Sequence, residues 1–148
     1  MRARAWGGPG ERERGSASLE LVVIAPAFLL LLAVLAFAGR VALAQQAVTA
    51  AAADAARAAS IERTATAART TATAAASQVL TAQGLTCSTT QVALDTAGFA
   101  APVGVPATVA ATVTCTLDLA DLSAPGIPGS KVIEATMTSP LDTHRERA

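Results

Sequence analysis

Few residues in this chain could do chemistry, and one of them stands where a charge is costly. Glu20 immediately precedes Leu21–Ala38, eighteen residues with no charge and one proline. A carboxylate at the edge of hydrocarbon is unfavourable unless an opposite charge meets it. Two cysteines, Cys87 and Cys115, lie far beyond that run. An even count favours a disulfide if the segment is exported, and two reduced thiols if it is cytosolic. His144 is the only histidine and has no cluster around it, so no metal site and no cofactor are expected. Asp95, Asp118, Asp121 and Glu134 are spread out with no His or Lys base among them, and Lys131 is the only lysine. Serine and threonine are abundant, but no Gly-x-Ser-x-Gly elbow holds one as a nucleophile. Asp118 and Asp121 read as turn residues. No catalytic residue is assigned, and an enzyme is not expected.

The elements that would position these residues are bounded by length and composition. Of 148 residues, the apolar run and what precedes it leave enough for one modest domain. The formal net charge is zero, which gives no bulk attraction to nucleic acid, and no nucleic-acid-binding signature is present. Trp6, Phe28, Phe37 and Phe99 are the only aromatics, and three of them fall in the leader or the apolar run. A domain beyond the run must be held by Val, Leu, Ile, Ala and whatever staples it has.

As a helix, Leu21–Ala38 is about 27 Å long, close to the thickness of a bilayer's hydrocarbon core. Arg2, Arg4, Arg12 and Arg14 precede it, whereas only Arg40 and Arg57 follow closely. Glu11 and Glu13 count little in setting topology, so the N-terminus is expected in the cytoplasm and the C-terminus outside. Gly7-Gly8-Pro9-Gly10 opposes a helix, and residues 1–15 read as a disordered basic leader. Three readings of the apolar run compete. One is a secretory signal cut after Ala44, where Ala42-Leu43-Ala44 fits the small-residue rule. Against that, the run is long, Glu20 interrupts its start and Arg40 lies just before the cut. The second is an ordinary single-span anchor. The third is the N-terminal helix of a pilin-like subunit.

The third accounts for more residues. A glycine ending a basic leader, a glutamate five positions on and an unbroken apolar helix resemble prepilins. That likeness implies cleavage between Gly15 and Ser16 by a membrane prepilin peptidase. Ser16 would become the N-terminus and Glu20 the fifth mature residue, paired in an assembled bundle with the α-amine of a neighbouring subunit. Gly15-Ser16-Ala17-Ser18-Leu19-Glu20-Leu21, Ala25-Pro26, Arg40, Gln45-Gln46-Ala47-Val48 and Ala52 to Ala59 resemble the TadE-like family. These are minor pilins or pseudopilins of the tight-adherence (Tad, or Flp) pilus system, and this version resembles the actinobacterial type. The likeness is good from about Gly15 to Ser60 and looser beyond, where a cysteine-bearing β tail ending Thr138-Ser139-Pro140 also fits. Major Flp pilins carry Glu-Tyr and stop soon after the helix. Here Leu21 follows Glu20, there is no tyrosine, and the chain runs on, which implies a minor subunit. The resemblance implies the membrane, other pilin subunits and the pilus assembly machinery as partners. It leaves the head to cap or prime a fibre, or to contact surfaces in adhesion.

Beyond Arg40 the helix should continue. Val41, Gln45, Val48, Ala52, Ala55 and Ala59 recur at helical spacing, and Asp54 can pair weakly with Arg57. Such a small-sided stripe suits close approach of another helix, and is equally what any alanine-rich helix shows. Near Ser60-Ile61-Glu62-Arg63-Thr64 the pattern loosens. Thr64 can N-cap a second helix that buries Ala68, Ala72, Ala75, Ala76, Val79 and Leu80 and ends at Gly84. One continuous helix from Leu19 to Gln83 is the alternative. The period then switches to two. Strands are expected over Ser88–Leu94, Thr108–Leu117 and Lys131–Thr138, the last with Ile133, Ala135 and Met137 inward.

Placing Cys87 opposite Cys115 sets Asp95 against Ala107, but turns Val92 and Leu94 away from the face of Val113. A bulge or a one-residue shift is then needed. The fold class is therefore α+β: a long transmembrane helix continuing into an Ala-rich helix (16–60), then a second helix and a three-stranded antiparallel meander forming a small head (61–140). Residues 141–148 are expected to be a frayed tail.

Overall fold

The computed structural model describes residues 13–120 and 129–144, with side chains from Leu21 onward. The chain divides into two compact units, Met1–Ala38 and Gly39–Ala148. The elements in order are α1 (Glu13–Ser60), α2 (Ala65–Ala82), β1 (Thr89–Asp95), β2 (Ala107–Asp118) and β3 (Ser130–Leu141), with a 3-10 turn at Ala97–Ala100. Gly7, Gly8, Pro9 and Gly10 of the leader, Asp121 and residues 125–128 lie outside the described residues. Glu13 to Gly15, expected as disordered leader, belong to α1.

α1 passes through Pro26 without interruption. Proline removes one helical hydrogen bond, which would cost about 3 kcal/mol in a soluble helix interior and is tolerated in lipid. The helix stops at Ser60, so the break expected near Thr64 forms and one continuous helix does not. Ser60 Oγ folds back onto the Arg57 carbonyl at 2.8 Å. Thr64 is extended, and its Oγ1 accepts the Ala67 N–H at 3.2 Å, capping α2. At the other end Gly84 takes φ +66°. Its N–H reaches the Thr81 carbonyl while the Leu85 N–H reaches Leu80, each at 3.0 Å. This is a Schellman closure, which needs a left-handed residue just past the helix.

The sheet is antiparallel in the order β1-β2-β3. Its inner face carries Val109, Ala111, Val113, Cys115 and Leu117 of β2, all buried. Thr112 and Thr136 share a hydrogen bond of 2.8 Å on the outer face, where Thr114 also donates to Glu134 at 3.2 Å. The inner face is covered by more than α2. Buried Ala44, Val48, Ala51, Ala55 and Ala59 of α1 and Ala68, Ala72, Ala76 and Leu80 of α2 form one apolar cluster with the sheet. Ala75 and Val79 are only half-buried, and Gln45, expected on the helix stripe, is exposed. Phe99, the one aromatic of this unit, is buried in the 3-10 turn.

Met137, expected inward with Ile133, is 37% exposed, whereas Ile133 is buried. β3 is an edge strand and α2 packs on β1 at the other side of the sheet, so cover thins towards Met137. Pro140 is tolerated because β3 is an edge. The expected tail does not begin at Leu141. Leu141 is buried, the Gly104 N–H bonds the Thr143 carbonyl at 2.8 Å, and Asp142 Oδ1 accepts the His144 N–H at 2.9 Å.

The β1–β2 register corrects the expected one. Val92 pairs with Val113, Leu94 with Ala111, Thr90 with Cys115 and Asp95 with Ala110. This is a slide of three residues, since Asp95 meets Ala110 rather than Ala107. An odd shift moves every side chain of a strand to the other face. It brings Val92 and Leu94 to the covered side and leaves Cys87 just before the first ladder pair.

Candidate functional site

The region with the strongest functional signature is α1 itself. From Leu21 to Phe37 its large apolar side chains are uncovered in every direction around the helix: Leu21 is 70% exposed, Leu29 64%, Val34 55% and Leu35 59%. A helix that is apolar all round is stable only when something apolar encloses it. Soluble monomers rarely expose patches beyond a few hundred Å². Each of these side chains gains about 1.5–3 kcal/mol when buried. By length and composition, this is the one helix among the described residues fit to cross a membrane, consistent with a single-pass membrane protein.

The continuation of α1 behaves differently. Its alanine stripe is already buried against α2 and the sheet. The small residues that suit helix–helix approach are therefore consumed within the chain, and Leu21–Ala38 is the stretch left for an external apolar partner. Arg57 and Asp54 form the expected pair at 3.8 Å, both well exposed and of little energetic weight.

Gly15, Ser16 and Glu20 all fall in the N-terminal part of α1. Ser16 and Glu20 are four positions apart, one turn along the same side of a helix. The side chains of Ser16 and Glu20 lie outside the described ones. Cys87 and Cys115 are joined by a disulfide with Cα atoms 5.5 Å apart. Cys115 is fully buried in the inner face. The bridge therefore ties the segment after α2 to the middle of the sheet. Ser88 reinforces it, its N–H and Oγ both donating to the Thr116 carbonyl, at 2.8 and 3.0 Å. Two further tethers close the unit. Ser139 Oγ donates to Ser60 Oγ at 3.1 Å, and Arg69 donates to Thr96 Oγ1 at 3.2 Å. Asp95, Asp118 and Glu134 stay apart on exposed positions, and Asp118 ends β2.

Sequence reasoning found the uncovered helix and missed the consumption of its alanine continuation. Only the fold brings Ala44 to Ala59 against residues tens of positions later.

Comparison with known proteins bears on the same helix. The TadE-like protein family model matches residues 15–57. Residues 15–57 are similar to the TadE-like family. The match opens at Gly15, takes in Glu20 and the whole uncovered run, and closes at Arg57, before α2 and the sheet. It points to a Tad-pilus-associated protein. No curated protein matches the chain, and no solved structure does.

Proposed function

We propose that this chain is a minor pilin or pseudopilin of the tight-adherence pilus. It is inserted through Leu21–Ala38 with its N-terminus cytoplasmic and is trimmed after Gly15 by a prepilin peptidase. Its role is structural, without catalysis. In the membrane, lipid encloses the apolar run. In the fibre, the helices of neighbouring pilin subunits take the place of lipid, and the new α-amine at Ser16 of one subunit meets the Glu20 carboxylate of another.

The observation that carries the reading is the apolar cylinder from Leu21 to Phe37, which the chain's own fold leaves bare. The TadE-like match, opening at Gly15, supports it. A secreted product cut after Ala44 fits less well, because Val41 and Ala44 belong to the packed cluster that such a cut would strip.

N-terminal sequencing of the mature protein tests processing. A start at Ser16 supports the proposal, a start at Gln45 overturns it, and an intact Met1 leaves a plain anchor. The role of Glu20 is tested separately with Glu20→Ala, expected to remain in the membrane but to drop out of sheared fibres. Wild-type incorporation would refute the charge pairing.

A further inference from the structure

A cleft of about 640 Å³ opens where α1 emerges from its apolar run. Arg40, Leu43, Ala47 and Ala50 line it from α1, and Gln83 and Thr86 from the segment after α2. The hollow exists because α1 presents alanines here and because Gly84, at φ +66°, turns the chain sharply away from α2. Arg40 is the only charged residue between Glu20 and Asp54. Its guanidinium, the Gln83 amide and the Thr86 hydroxyl have no hydrogen-bond or ionic partner among the described residues. Among the described residues, no acidic side chain lines the cleft.

Its height along the helix is informative. Arg40 follows the last residue of the run, Ala38, by two positions, so it lies about 3 Å further along the axis, and Leu43 about 7 Å further. The headgroup layer beyond the hydrocarbon is about 5–8 Å deep on each side. With Ala38 at the hydrocarbon edge, Arg40 and Leu43 fall within that layer.

We propose that this cleft seats the headgroup of an anionic membrane phospholipid. The claim rests on the single-span reading of α1. The guanidinium offers a planar fork of donors that matches a phosphate, and Gln83 and Thr86 add donors to the remaining headgroup oxygens. A zwitterionic lipid fits less well, because no carboxylate among the described lining residues receives its ammonium.

The test uses the full chain in uncharged detergent, with phosphatidylglycerol or phosphatidylcholine added and lipid retention read by native mass spectrometry. The expected result is one retained phosphatidylglycerol per chain, preferred about tenfold over phosphatidylcholine, the scale of one charge-assisted hydrogen bond. Arg40→Gln should erase the preference. Ala50→Leu should lower retention by filling the hollow, while the Cys87–Cys115 bridge and protease resistance of the head report that the fold persists. Equal retention of the two lipids, or a preference that survives Arg40→Gln, overturns the proposal. Competition by inorganic phosphate overturns the lipid source in favour of a free anion. Sedimentation of the same chain with phosphatidylcholine vesicles separates the two claims. A chain that stays with the vesicles but shows no preference fails only the cleft, whereas a chain that leaves them fails the span reading and the cleft with it.

Discussion

Reduction of the Cys87–Cys115 bridge should destabilise the head by about 3–4 kcal/mol. The bridge spans a separation of 28 residues. The loop-closure relation gives an entropy near 12 cal/mol/K for a loop of that length, or about 3.6 kcal/mol at 25 °C. The core it supports is made largely of alanine, with Val48, Val109, Val113 and Cys115 the largest fully buried side chains. Alanine contributes little apolar area, so a loss of that size is a large part of a total that for ordinary domains is about 5–15 kcal/mol. For a unit of this size it corresponds to a fall of about 15–25 °C in Tm.

The full chain in detergent micelles should be unfolded in urea, with the intact head quantified by pulse proteolysis. That readout is blind to the apolar part of α1, which micelles hold helical. Dithiothreitol should lower the stability of the head by about 3–4 kcal/mol. The double variant Cys87→Ala/Cys115→Ala should lower it by about 1 kcal/mol more, because Cys115 is fully buried and its sulfur leaves a small void. A loss below about 1 kcal/mol on reduction would show that the packed alanines, not the crosslink, hold the head, and would refute the loop-entropy reasoning.

Two further substitutions probe the close contacts. At Gly98 a Cβ would collide with the Thr108 carbonyl oxygen and press on Leu141 Cδ1 at 3.0 Å; Gly98→Ala should therefore cost about 1–3 kcal/mol in the same assay. Ala55 is fully buried between α1, α2 and the sheet, so Ala55→Leu should cost a similar about 1–3 kcal/mol. Ala42→Leu, on an exposed position of the same helix, should change stability by less than about 0.5 kcal/mol. If the two leucine variants are equally stable, the alanine stripe is not packed as described.

Local signals carried far in this chain. Thr64 as a cap, Gly84 as a left-handed stop and the two-residue alternation from Val109 to Leu117 each act within a few residues, so each was legible. The register of β1 was not. Centring the pairing on Cys87 and Cys115 assumed that bridged cysteines must be opposed in the ladder, whereas the bridge is made from a residue just outside it. Leu141 looked like the start of a charged tail, because nothing nearby in the sequence announces the contacts that bury it. The cleft at Arg40 had no sequence signal, since its walls come from residues about forty positions apart.

What the sequence by itself determined is the uncharged length of Leu21–Ala38, the glutamate before it and the switch from helical to alternating periodicity. These are properties of neighbouring residues and their solvent preference, and they need no partner to be read. What only the tertiary structure decided is which apolar surface remains for others. The alanine face of α1 and the inner face of the sheet cover each other, and burial of Val92 and Leu94 forced the strand pairing three residues along. The run before Arg40 has no such partner within the described chain, because the packed cluster of head residues begins only beyond it.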